Sequence, residues 1–350
     1  MTAQALIPDP ARDTALAYPR IRYMGSKYKL LPHLAGVFAE VGGSTALDAF
    51  SGSGVVSYLL KRQGFSVTSN DMLEFPGVLA IATVVNQVDR LTMDEVARIT
   101  GPPADERSFV AGTFRNVYFD EADRQFLDNA WSHIDALTGN KRAIAISALV
   151  LSAARKQPRG VFTITGDLSR YNDGRRDLQL SMRDHFVEHV AKYNSATFVG
   201  PAARVTRQEA SEISHGPYDL VYLDPPYAPP TDDNCYIKRF HFLEGLSRYW
   251  QGDELMLHTN SKKLPKPVTG FSSKRTVVAA FRETFRRFQD SPAIILSYGS
   301  NALPDMATIL ALLREVKRDV EVREIPHRYH YGTHKTAARR AVNEYIFIAR

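Results

Sequence analysis

Residues 45–71 constrain the fold of this 350-residue chain more than any other stretch. Two short apolar runs, Thr45-Ala46-Leu47-Asp48-Ala49-Phe50 and Phe65-Ser66-Val67-Thr68-Ser69-Asn70-Asp71, flank VVSYLLKRQG (55–64), whose apolar residues recur at helical spacing. A strand, a crossover helix and a second strand of this kind place both strands parallel in one sheet. Further strand-like runs follow at ARVTRQEA (203–210), YDLVYLDPPY (218–227), AIILSYGS (293–300), DVEVREIPH (319–327) and NEYIFIAR (343–350). Helical patterns such as RFHFLEGLSRYW (239–250) and MATILALLREVK (306–317) alternate with them. The expected fold is α/β: a Rossmann-like seven-stranded, mostly parallel sheet covered on both faces and closed by an antiparallel C-terminal hairpin.

The rhythm breaks between 91 and 194, where DEADRQFLDNAWSHIDAL (120–137) and KRAIAISALVLSAARK (141–156) precede the polar run QPRGVFTITGDLSRYNDGRRD (157–177). This reads as a mainly helical insertion between the second and third strands. The expected organisation is a polar N-terminal tail over 1–19, a sheet domain over 20–90 plus 195–350, and the insertion over 91–194. The Lys- and Pro-rich run 261–275 is the expected mobile element. No apolar run approaches the roughly 20 residues that span a bilayer, and residues 1–19 lack a secretory pattern, so a cytoplasmic protein is expected. A lone cysteine, Cys235, excludes an intramolecular disulfide and argues against structural zinc. A net charge of +6 suits a polyanionic partner without requiring one.

Ligands of open α/β sheets bind beyond the carboxyl ends of the strands. There the first strand ends in Asp48-Ala49-Phe50-Ser51-Gly52-Ser53-Gly54, a turn that lets the backbone approach a nucleotide or an adenosyl amino acid closely. A dinucleotide fingerprint would have a third glycine where Ser57 stands, which disfavours a dehydrogenase. Asp71 is placed either to accept from ribose hydroxyls or to cap a helix. Asp224-Pro225-Pro226-Tyr227 ends the run Leu220-Val221-Tyr222-Leu223. Its prolines stop the strand and leave the Asp224 carboxylate and the Pro225 carbonyl as acceptors beside an aromatic face, an arrangement suited to an amine.

With these motifs in this order, the chain resembles the D12-class adenine-specific DNA N6-methyltransferases, the group of Dam-type and FokI-type enzymes. Arg22-Tyr23-Met24-Gly25-Ser26-Lys27, Asp48 to Gly54, Asn70-Asp71 and Asp224 to Tyr227 carry the resemblance. Leu296 to Ser300, Tyr331 to Lys335 and Asn343-Glu344-Tyr345 lean toward the FokI type. Glu209-Ala210 stands where some members have an acidic-aromatic pair. The resemblance implies a class I methyltransferase sheet with S-adenosylmethionine as cofactor. It implies a cofactor site lined by Tyr23, Lys27, Phe50, Gly52, Gly54, Asp71 and Asp224, with Asp48 near the methionine amino group. It also implies catalysis by Asp224, Pro225, Pro226 and Tyr227 on an adenine flipped out of double-stranded DNA, Tyr227 stacking on the base. On that reading Tyr227→Phe is better tolerated than Tyr227→Ala.

For DNA contacts the expected residues are Arg155, Lys156, Arg159, Arg175 and Arg176 of the insertion, with Arg170 beside them, and His330, His334 and Lys335 near the C terminus. In FRETFRRF (281–288) the phenylalanines should be core, while Arg282 and Arg286 could reach phosphate. An RNA adenine methyltransferase and a catalytically silent DNA-binding module remain alternatives. A leading Asn or Ser in the tetrapeptide would instead suit protein-glutamine or cytosine-N4 enzymes. A cognate restriction endonuclease at the same site is compatible with the resemblance, and the recognition sequence is not readable.

Overall fold

The computed structural model describes residues 9–158, 160–163, 165, 173–228, 236–267, 269–328 and 341–350. Its strands are β1 Thr45–Asp48, β2 Ser66–Asn70, β3 Arg204–Thr206, β4 Leu220–Leu223, β5 Ala293–Gly299, β6 Val320–Arg328 and β7 Ala341–Ala349. They form one seven-stranded sheet in the order β3-β2-β1-β4-β5-β7-β6. The pairs from β3 through β5 are parallel, while β7 runs antiparallel to both β5 and β6. The apolar runs are continuous because both faces are covered. Ala46, Leu220, Tyr222, Ile295 and Ile348 point into one core, and their neighbours Leu47, Val221, Leu223, Ile294 and Phe347 point into the other.

The helices are α1 Pro10–Ala17, α2 Leu31–Val41, α3 Val55–Arg62, α4 Glu74–Ala80, α5 Met93–Ile99, α6 Phe109–Thr113, α7 Glu121–Ile134, α8 Gly139–Lys156, α9 Arg176–Gln179, α10 Met182–Ala196, α11 Tyr236–Leu246, α12 Val277–Arg287 and α13 Met306–Arg314. The first three cover one face of the sheet, and α12 and α13 cover the other. In α12 and just past its end, Val277, Phe281, Phe285 and Phe288 are buried, as helical spacing requires. Arg282 and Arg286 remain at the surface, where each pairs with Glu315 at 3.2 Å.

The stretch expected as a polar tail over 1–19 is structured from Asp9 onward. Asp9 accepts from the N–H groups of Ala11 and Arg12, both at 3.1 Å, and Pro10 takes the first helical position of α1. The Asp-Pro start signal was legible. The helix behind it was hard to see because its buried residues include the small Ala11 and the polar Thr14.

Helices α4 to α10 lie between β2 and β3. The centre of this region is α8, buried continuously from Ala143 to Ala154, which is why its apolar residues run around the helix instead of along one stripe. It packs against α4, α7, α10 and α11. Phe75 and Leu79 of α4, Leu149 of α8 and Phe240 and Leu243 of α11 belong to one core, so the insertion is seated on the elements that border the cleft.

Candidate active site

Chain connectivity reverses between β1 and β4, with β2 and β3 to one side and β5 to the other. Such a switch point opens a crevice at the strands' carboxyl ends. Asp48, the last residue of β1, sits opposite Tyr222 of β4, so Asp224 lies two residues beyond the paired region. The resulting cleft, about 1160 Å³ with its open mouth included, is lined by Tyr23, Lys27, Asp48, Phe50, Asp71 and Asp224 among others. It brings the N-terminal motif, the glycine turn and the tetrapeptide together.

On the glycine-turn side, Gly52 has φ +48°, and a Cβ there would meet the Tyr23 ring at 2.9 Å. Gly54 caps α3 with φ +79°, and a Cβ there would stand 2.5 Å from the Tyr18 hydroxyl. Tyr18 in turn donates to the Ser53 carbonyl at 2.5 Å. Gly54 therefore shapes the turn from behind and is not on the cleft wall, and Tyr18 is a support that reading 1–19 as a tail missed. Asp71 is not the N-cap of α4, which is Leu73 without a side-chain cap bond; its carboxylate instead takes two backbone donors. One oxygen accepts from the Leu73 N–H at 3.0 Å, and the other braces the turn by accepting from the Gly52 N–H at 2.9 Å. The buried Asn70 amide donates to the Ala49 and Gln208 carbonyls, both at 3.0 Å, tying the ends of three strands together.

Asp48 is fully buried. Its Oδ2 accepts from the Ser57 hydroxyl at 2.6 Å, and Oδ1 has no hydrogen-bond partner among the described residues. A buried acceptor without a donor is costly, and a ligand ammonium would satisfy it. Burial pushes this carboxyl up to about 7; the charges of Asp224 and Asp71 add to the rise, and the Ser57 hydroxyl and the nearby Phe50 N–H oppose it. Asp71 is likewise raised by burial to about 6, against its backbone N–H donors. Phe50 meets Phe271 edge-on at 5.3 Å. That contact and the burial of Phe271 pin part of the 261–275 run, expected to be mobile, so that Lys266, Pro267 and Thr269 join the wall. Gln208, Glu209 and Ala210, just past β3, also face the cleft.

The tetrapeptide side is organised by Lys27, which is 5% exposed. Its ammonium donates to the Gly25 carbonyl at 2.8 Å and the Tyr227 hydroxyl at 3.2 Å, and pairs with Asp224 Oδ1 at 2.8 Å. Ser297 also approaches Oδ1, at 3.4 Å. Among the described residues no hydrogen bond reaches Oδ2, which leaves that atom for a ligand amine. Burial raises Asp224 to about 6, opposed by Lys27. Pro226 lines the cleft; Pro225 is buried behind it. Tyr23 stacks on Phe240 of α11 at 4.9 Å and 5°.

The Tyr227 hydroxyl donates to Glu344 of β7 at 3.0 Å. Glu344 stood within a quoted motif, yet a contact across 117 residues of sequence offered no signal of its role. This bond also changes the expectation for Tyr227→Phe, because removing the hydroxyl takes one hydrogen-bond partner from each of two buried charged groups, Lys27 and Glu344. We expect Tyr227→Phe to slow single-turnover methylation about tenfold, with Tyr227→Ala losing more through base stacking. Wild-type rate in the Phe variant would return the whole role to the ring.

The expected DNA contacts that fall within the described residues each have a carboxylate beside them. Arg155 donates to the Arg20 carbonyl at 2.8 Å and approaches Asp177 at 3.5 Å, and Arg22 pairs with the same Asp177 at 2.8 Å. Arg175 pairs with Asp173 at 2.7 Å, and Arg176 with Glu188. Lys156 is mostly buried against Asp123 at 3.0 Å, which makes it a structural ion pair and not a surface cation. Arg159, Arg170, His330, His334 and Lys335 lie outside the described residues.

A switch-point cleft with a glycine turn on one strand and Asp-Pro-Pro-Tyr on its neighbour defines an α/β transferase of the class I methyltransferase type. The chain belongs to the family of D12 class N6 adenine-specific DNA methyltransferases, whose profile matches residues 23–288. It is 28% identical over 326 residues to the type II methyltransferase M2.HphI of Haemophilus parahaemolyticus, covering 89% of this chain and 92% of that protein. It is 24% identical to the modification methylase StsI of Streptococcus sanguinis, and 26% identical to the modification methylase LlaI of Lactococcus lactis subsp. lactis. Those matches cover 93% and 91% of this chain but 51% and 52% of the two relatives, so it spans about half their length. The chain is accordingly a site-specific DNA adenine methyltransferase that requires a methyl donor. No helix among the described residues is long and apolar enough to cross a membrane.

Proposed function

We propose that the methyl donor is S-adenosylmethionine and that the acceptor is the N6 amine of an adenine turned out of the duplex into the cleft between Asp48 and Asp224. The observation that carries this reading is the charge balance of the cleft. Three carboxylates, Asp48, Asp71 and Asp224, are each raised by burial, and Lys27 is the buried cation beside them. A ligand with an ammonium and a sulfonium relieves that imbalance, and when bound it supplies an electrophilic methyl group.

Asp48 Oδ1 takes the donor's ammonium, and Asp71, whose oxygens retain lone-pair capacity, accepts from ribose hydroxyls. The adenine N6 lone pair is delocalised into the ring. Asp224 Oδ2 and the Pro225 carbonyl accept its two protons in hydrogen bonds, which localises the lone pair and absorbs the positive charge that develops on nitrogen. The face of Tyr227 holds the base, and orientation by these groups provides much of the remaining rate.

The insertion, 91–194, is proposed to carry target recognition, its position relative to the cleft held by the core shared with α11. Arg22 and Arg155, sharing Asp177, are well placed to exchange that carboxylate for phosphate. Two relatives are called modification methylases, which favours a cytoplasmic role alongside a restriction endonuclease of the same specificity. The test is methyl transfer from labelled S-adenosylmethionine to unmethylated genomic DNA and to RNA in parallel, with nucleoside analysis. N6-methyladenine in DNA within one short motif is expected, and label confined to RNA would overturn the acceptor.

A further inference from the structure

We propose that Glu344 is a positioning residue for the transfer, holding the Tyr227 ring through its hydroxyl and, by way of that hydroxyl, holding Lys27 against Asp224. The polarity of the chain of contacts has one solution. An ammonium only donates, so the Tyr227 oxygen accepts from Lys27, and its single proton is left for Glu344 Oε2. The Lys27 ammonium is then spread over the Gly25 carbonyl, Asp224 and Tyr227, which uses all three of its protons.

The sheet explains why a residue of β7 reaches the tetrapeptide. In the β5–β7 ladder Glu344 is paired with Gly299. A Cβ on Gly299 would stand 2.9 Å from Tyr227 Cε2, so the missing side chain makes the space that the ring occupies. Tyr298 packs edge-on against that ring at 4.7 Å and 67°. The ring is thus confined by Gly299 and Tyr298, and its polar end is anchored by Glu344, which is 1% exposed. A side chain that must present a flat face to a base is held at both ends before the base arrives, which lowers the ordering cost on binding.

This role rests on the proposed use of Tyr227 and Asp224. The experiment is a double-mutant cycle on single-turnover methylation of duplex DNA, with Glu344→Gln and Tyr227→Phe measured singly and together, donor affinity measured on each, and folding checked by thermal unfolding. Glu344→Gln should lower the transfer rate about tenfold with donor affinity held within roughly twofold, and should change the rate less than about twofold once Tyr227 is Phe. Glu344→Asp keeps the charge but withdraws it from the hydroxyl, and should fall similarly; it serves in the cycle if the Gln variant does not fold. A wild-type rate for Glu344→Gln, or the same loss in both backgrounds, overturns the positioning role. Absence of any transfer by the wild-type protein would instead overturn the reading on which it rests.

Discussion

Asp224→Ala is expected to lose methyl transfer by about 10³-fold or more in single turnover, a loss typical of removing an electrostatic group aimed at developing charge. Oδ1 of this carboxylate is occupied by Lys27 and Ser297, and Oδ2 is the acceptor left for the amine. The variant should remain folded despite leaving Lys27 without its carboxylate. Removing one partner of a buried pair ordinarily costs about 3–5 kcal/mol. Here the loss is offset, because burial already raises Asp224 to about 6 and Lys27 keeps Gly25 and Tyr227 as acceptors. Adding Lys27→Met to Asp224→Ala should recover stability in a denaturant titration without recovering any activity. In the wild type the transfer rate should fall as pH drops below about 6, where Asp224 takes up a proton and ceases to be a charged acceptor. An alanine variant within tenfold of wild type would remove Asp224 from the chemistry.

Asp48→Asn should move stability and binding in opposite directions. A carboxyl raised from 3.8 to about 7 in the folded protein binds its proton more tightly folded than unfolded. Its contribution to stability is therefore complete below pH 3.8 and is lost as pH rises through 7. The shift corresponds to roughly 4 kcal/mol at pH 8, an upper figure for a group that relaxes or hydrates in part. The amide does not titrate, so the ligand-free Asn variant should be more stable than wild type at pH 8, by a few kcal/mol at most, with the advantage shrinking toward pH 4. Donor affinity should fall roughly 100-fold, since a buried charged hydrogen bond is replaced by a neutral one. Wild-type affinity, by contrast, should improve as pH rises toward 7 and Asp48 ionises. Calorimetric titration with chemical denaturation at both pH values checks all of this; unchanged affinity in Asp48→Asn would place the donor's ammonium elsewhere.

The glycine turn, Asp224 and the strand pattern were legible because each depends on neighbours close in the chain. Local periodicity identified every strand, and alternate residues of β4 and β5 do face opposite cores. Ser57, noted only as a missing glycine, proves to hold Asp48 in place and also meets Ser69 at 2.9 Å. Local reading failed where a side chain's partner lies far along the chain. Tyr18 was assigned to a tail yet supports the glycine turn 35 residues on. Arg155, Arg175 and Arg176, read as phosphate contacts, each have a carboxylate of their own region beside them, pairings that no local pattern announced.

By itself the sequence determined the α/β class, the order of the motifs and the chemical character of the cleft, since strand and helix periods and proline-stopped turns are properties of short segments. Tertiary structure alone decided the charge state and the posture of the groups that line the cleft. Lys27 faces Asp224, and Glu344 faces Tyr227, only after the sheet sets β1 beside β4 and β7 beside β5. Burial and opposing charge then fix which carboxylates ionise, and both depend on distances that no local pattern in the sequence encodes.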